Sequence, residues 1–273
     1  MKSSGKKEGN LLFALSIFVY VFLWAPVVIL IVFSFSSNEF GIKWEHFTLK
    51  WYAELFTNIP LRQAVVRSLI ISFITVIVST GLGSVTAYGL YKLKFRFKKF
   101  LRTVILLPIV LPYVVTGAAL LVFFSRFLHM TLGYVSIIIA HITFSTPLAV
   151  FVILGRMQRI DWAWEEAAMD LGANRFTAFR KVIGPLLLPG IAAAAMLVFP
   201  WSFDDFVITY FVAGAGITTL PIYIFSQLRY GATPVINTIG TIFVVITILM
   251  LLLFHITQKK GEKFDENKPK QDE

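Results

Sequence analysis

Six stretches of this chain run for twenty or more residues with almost no ionisable side chain, near residues 11–36, 68–90, 103–125, 132–154, 186–213 and 235–257. A helix needs about 20 apolar residues to cross a hydrocarbon core about 30 Å thick. The first four stretches and the last contain no Asp, Glu, Lys or Arg, and the fifth contains only Asp204 and Asp205. Lipid offers the backbone no hydrogen-bonding partner, so each stretch must satisfy its own amides as a helix, and the alternating pattern of a barrel strand is absent. Composition agrees. Charged residues are 15% and hydrophobic residues 57%, whereas an average soluble domain is about a quarter charged. The sequence therefore predicts an all-α membrane protein with six transmembrane helices.

Basic residues set the expected orientation. The net charge of +10 would suggest nucleic acid in a soluble protein, but in a membrane protein it reflects Lys and Arg held in short cytoplasmic segments. With the N-terminus inside, 19 of the 25 basic residues fall on the cytoplasmic side. Both termini are thus expected there. The organisation that follows is a cytoplasmic tail over 1–10, a membrane domain over 11–257 with a long cytoplasmic segment at 155–185, and a tail over 258–273. The last alternates Lys with Asp and Glu and is expected to be disordered. Lys2, Lys6 and Lys7 precede an apolar run as in a secretory signal, but that run continues to Ser36 without an evident small-residue cleavage site, so it reads as an uncleaved first span.

Several chemistries are excluded. There is no cysteine, hence no disulfide framework or thiolate metal site, and no His/Glu cluster has metal-ligand spacing. No nucleophile has an evident base, and the Gly-x-x-x-x-Gly-Lys-Ser/Thr phosphate loop is missing, so the chain has no ATPase of its own. No cofactor is expected in it.

The segment between the fourth and fifth spans carries more information. Asp161 through Gly172 reads as a short helix, with Asp161 as a plausible N-cap, Glu165 and Glu166 near the positive helix end, and Gly172 suited to a left-handed C-terminal position. A second helix can start at Asn174 and run towards Pro185. Residues alone allow two roles for this elbow: a knob that docks on a cytoplasmic partner, or an amphipathic helix lying on the membrane.

The run EAAMDLGANRFTAFRKVIGPLLLPGI resembles the EAA motif of ABC importer permeases. Glu166, Ala167, Ala168, Gly172 and Pro185 match it, while Val182 replaces the usual Ile and Gly184 the usual Leu. The resemblance implies a type I importer permease of the MetI-like fold in the bacterial inner membrane. It also implies a coupling helix at 162–173, with Glu166, Ala167, Ala168, Asp170, Gly172 and Ala173 facing a cytoplasmic ATPase. Partners implied with it are a homologous second permease, an ATPase dimer that binds ATP and Mg, an extracytoplasmic solute-binding protein and membrane lipid, with no nucleic acid. Phe47-Thr48-Leu49-Lys50-Trp51-Tyr52, His141-Ile142-Thr143-Phe144 and Asp204-Asp205-Phe206-Val207-Ile208-Thr209 are similar to permeases of spermidine/putrescine importers, over about residues 20 to 255. Polyamines are the solute this implies, although related permeases carry iron or phosphonates.

Asp204 and Asp205 are the acidic residues inside a predicted span. Each carboxylate at depth costs about 2.5 to 3.5 kcal/mol on insertion scales, so such groups face a partner, a cavity or a pathway. One reading pairs them with neighbouring cations or with backbone donors freed near Pro200. The other has them attract a cationic solute, helped by Trp201, Phe203, Phe206 and Tyr210, whose ring faces bind ammonium groups. His141 reads chiefly as a packing and hydrogen-bonding residue. An ion-coupled secondary transporter using His141 and the aspartates is the rival function, and it leaves the elbow unexplained.

Overall fold

The computed structural model describes residues 2–39, 43–94, 96–229 and 234–249, and among these the regular structure is helical. The helices are α1 (Lys2–Phe33), α2 (Lys50–Thr57), α3 (Ile59–Lys92), α4 (Lys98–Leu106), α5 (Tyr113–Val122), α6 (Tyr134–Met157), α7 (Ala163–Asp170), α8 (Arg175–Ala178), α9 (Gly184–Phe203), α10 (Val207–Val212), α11 (Leu220–Arg229) and α12 (Pro234–Leu249). Four helical runs are long and apolar enough to cross a membrane: Asn10–Phe33, Ile59–Lys92, Tyr134–Met157 and Arg175–Phe203. The third stretch is helical on both sides of a 102° bend, and α12 is the shorter apolar helix. Residues 250–257 of the sixth stretch, and the tail over 258–273, lie outside the described residues. The predicted N-terminal tail is helical from Lys2, continuous with α1.

The chain divides into two compact units. In the unit spanning Pro60–Tyr223, α6 is the most enclosed helix, burying Ile137, Ala140, Phe144, Ala149, Val150, Ile153 and Met157. Lipid tails are as apolar as leucine, so apolar burial alone does little to join helices in a bilayer, and close packing and hydrogen bonds must do so. Small residues supply the closeness. A Cβ on Gly83 of α3 would lie 2.6 Å from the Ala149 Cβ of α6, and one on Gly117 of α5 would lie 2.6 Å from Phe211 Cδ2. Hydroxyls supply the bonds. Ser68 Oγ accepts from Leu220 N at 2.9 Å, and Ser136 Oγ donates to Val212 O at 2.7 Å.

Proline explains the break in the third predicted span. Pro108 and Pro112 each remove an N–H. Between them the third stretch passes through a 3-10 turn at Leu107–Ile109 and leaves the helix before Pro112, which enters α5 at ψ 131°. A π-helical turn, Phe179–Ile183, precedes the fifth stretch just before Pro185. That stretch does not run unbroken to 213. Helix α9 ends at Phe203, residues 204–206 are non-helical, and α10 starts at Val207.

The second unit comprises residues 1–59 and those from Ile224 onward. From Asn10 to Pro26 the side chains of α1 are exposed. After α1 the chain turns and forms an antiparallel bridge between Ser36 and Phe47. Buried Trp51 donates from Nε1 to Ser36 O at 2.7 Å, and Phe35 stacks between Phe47 and Tyr52. Gly240 of α12 lets Leu30 approach, since a Cβ there would lie 3.0 Å from its side chain.

Candidate coupling elbow and membrane carboxylates

The elbow is built from two short helices and a capped turn. Asp161 Oδ1 accepts from Ala163 N at 3.0 Å and so pre-forms the first turn of α7. At its other end the Gly172 N–H donates to Met169 O and the Ala173 N–H to Ala168 O, at 2.9 and 3.1 Å. With Gly172 at φ +86°, this pair of bonds is a Schellman motif. Only a residue without Cβ takes that conformation cheaply. Asn174 then caps α8, its side chain accepting from Thr177 N at 2.8 Å.

The sequence-predicted coupling residues lie on α7 and the turn that follows it. Glu166, Ala167, Asp170 and Gly172 are exposed, while Ala168 and Ala173 are half-buried. Around them stand exposed apolar side chains, Trp164, Phe176 and Leu171, the last 90% exposed. Glu165, adjacent to Glu166, points the other way and is buried. In the sequence alone Glu165 has only the role of a helix-end charge.

The two aspartates sit at the break between α9 and α10 and have different surroundings. Asp205 is withdrawn, its side chain 7% exposed. Its Oδ2 accepts from Thr209 N at 2.7 Å and from Thr209 Oγ1 at 2.8 Å, and Oδ1 lies 3.4 Å from Ile208 N. It therefore caps the N-terminal turn of α10. His141 of α6 extends the network: Nε2 is 2.8 Å from Thr209 Oγ1 and 3.5 Å from Asp205 Oδ2, and Nδ1 is 2.7 Å from Ser202 Oγ. Because Thr209 Oγ1 gives its proton to the carboxylate, it accepts from His141 Nε2–H. Every polar atom of the imidazole is thus used, which fits a packing and hydrogen-bonding role.

Asp204 is exposed, and its backbone N–H closes the last turn of α9 on Pro200 O. Trp201 stands one turn before it, at the surface, edge-on to Tyr113 with ring centroids 6.0 Å apart; Tyr113 in turn meets Phe144 at 6.3 Å. Tyr210 is exposed on the far side of the break and packs on Phe206 at 5.4 Å. The structure thus joins Trp201 to Tyr113, which the sequence reading does not single out, and puts Tyr210 in a separate aromatic pair. Ser202 and Thr209 are also new. Thr209 has a sequence signal, its position four residues after Asp205, where a side chain from the next turn meets a capping carboxylate. No cluster of metal-ligating residues occurs among the described residues.

An all-helical membrane protein with broken spans and a capped helical elbow between two of them is an architecture suited to a permease. The chain belongs to the family of binding-protein-dependent transport system inner membrane components, whose family model matches residues 79–261, and it is a multi-pass inner-membrane permease. It is 39% identical to the spermidine/putrescine transport system permease protein PotC of Escherichia coli (strain K12), over 90% of this chain and 92% of that protein. It is 36% identical to the putrescine transport system permease protein PotI of the same organism, over 82% of each. Among solved structures it is similar to a bacterial ABC transporter involved in the import of the acidic polysaccharide alginate, with a TM-score of 0.74 and 18% identity over 93% of this chain and 96% of that one. The MetNI methionine ABC transporter gives a TM-score of 0.56 at 16% identity, covering 76% of this chain and 97% of that chain. These last two likenesses concern the fold.

Proposed function

We propose that this chain is one half of the translocation pathway of an ATP-driven importer for polyamines. In this reading the six stretches span the membrane with both termini cytoplasmic, and a homologous permease completes the pathway. Two ATPase subunits, binding ATP and Mg, dock on the elbows, and an extracytoplasmic binding protein delivers the solute. The observation that carries the solute is the unequal pair at the helix break. Asp205 is committed to capping α10 and to the His141 network, whereas Asp204 stays exposed one turn from Trp201. A carboxylate beside aromatic faces suits an extended ammonium compound, and the relatives named for spermidine and putrescine agree with that chemistry. An anion such as phosphonate would be repelled there.

The elbow supports the ATP-driven part. Its polar face around Glu166 and its exposed Trp164, Leu171 and Phe176 form a surface that a cytoplasmic subunit can cover. ATP binding would draw the two ATPases together and shift the permease between inward- and outward-open populations through contacts that differ in the two states.

Two measurements test this. Reporter fusions after Lys94 and Arg175 are expected to give cytoplasmic signals, and fusions after Met130 and Gly216 external ones; an external signal at Arg175 would remove the ATPase from reach of the elbow. Cells that depend on this chain are expected to take up labelled spermidine, with excess putrescine competing and ferric iron or phosphonate not competing. Uptake that iron or phosphonate suppresses, and polyamines do not, would refute the solute assignment.

A further inference from the structure

Of the described Asp, Glu, Lys and Arg residues, only Glu165 is buried as a whole residue. Its carboxylate pairs with Lys92, the last residue of α3. The pair sits on an aromatic platform. Lys92 Nζ lies 4.0 Å from the Trp162 ring centroid, Tyr91 stacks on the same indole at 4.9 Å, and Trp162 Nε1 donates to Met157 O at 3.2 Å. This set joins the end of α3, the end of α6 and the start of α7. The charges also suit their helices, since a cation is favoured at the C-terminal end of α3 and an anion in the first turn of α7.

A coupling element must be rigidly tied to what it moves. Helix α7 also packs on α8 and on the turn Phe179–Ile183 that leads into α9, so this contact set is what ties it to α3. We propose that Lys92 and Glu165 are positioning residues that clamp α7 to α3, so that movement of a docked ATPase enters α3. A desolvated carboxylate needs its partner charge, so the clamp is strong only when both members are present. Glu165 and its neighbour Glu166 then divide the work, the first gripping the membrane helices and the second facing the ATPase. This inference rests on the reading that the elbow docks on an ATPase.

The test uses the whole transporter, purified and reconstituted in proteoliposomes with ATP inside, and reads solute moved per ATP hydrolysed. Glu165→Gln and Lys92→Gln are expected to retain ATPase subunits on purification yet to lower that ratio roughly tenfold, within the range by which coupling-network substitutions act. Lys92→Arg is expected to keep the ratio near wild type, because a guanidinium can both pair and stack. The double variant Lys92→Glu/Glu165→Lys is expected to recover most of the loss. An unchanged ratio in both single variants would overturn the clamp. If the single variants fail to accumulate, the charge-swapped chain decides: normal accumulation with near-normal coupling upholds the clamp, and failure of either overturns it. Glu166→Lys run in parallel separates the two readings, since retention of the ATPase and of full transport in that variant would refute docking itself.

Discussion

Substituting Gly172 by Asp is expected to leave the protein in the membrane at near-normal levels while lowering transport by at least tenfold. The backbone carries the argument. Gly172 holds φ at +86° to close the Schellman turn after α7, and a Cβ built there meets nothing within 4 Å. The substitution therefore causes no collision. Its cost is the left-handed conformation, about 1 to 2 kcal/mol for a residue with a side chain, and the chain can escape that cost by unwinding the turn. Unwinding would release Ala173 N from Ala168 O and swing α8 away from α7, spoiling the elbow and little else. Glu166→Lys probes the same surface without touching the backbone, because Glu166 is exposed and surface substitutions change stability by about 0.5 kcal/mol or less. It is expected to reduce the amount of ATPase that co-purifies. Quantifying permease and ATPase in the same purified sample, alongside transport, checks both variants. Normal ATPase content and normal transport in both would exclude the elbow as the docking site.

How much of this was legible beforehand depends on where the physics is local. The spans are legible because lipid forbids exposed backbone polar groups, which forces long apolar runs. The elbow is legible because Gly172 and Asn174 each have a short-range reason to stand where they do, a left-handed turn and an N-cap. The break at 204–206 is not legible as a break. Apolar content continues on both sides of it, and Pro200 removes a hydrogen bond without saying where the helix ends. The unequal fates of Asp204 and Asp205 are tertiary. They depend on His141, more than sixty residues away, lying opposite Ser202 and Thr209. Glu165 shows the same limit, since nothing near it in sequence announces that Lys92 is its partner.

That inequality yields the second large effect. Asp205→Asn replaces an acceptor-only carboxylate with an amide inside a network that has no spare acceptor. It weakens the cap on α10, worth about 1 kcal/mol, and leaves a buried donor poorly paired, which costs about 1 to 3 kcal/mol more. The expected result is poor accumulation of assembled transporter. Asp204→Asn keeps the size of an exposed side chain that caps nothing, so the complex should accumulate normally. What it loses is attraction for a cation, worth about tenfold in uptake for each 1.4 kcal/mol. Spermidine uptake normalised to assembled complex is therefore the decisive quantity. The account predicts a roughly tenfold or greater fall per complex for Asp204→Asn at normal complex levels, together with a loss of complex for Asp205→Asn. Normal uptake per complex in Asp204→Asn would contradict it.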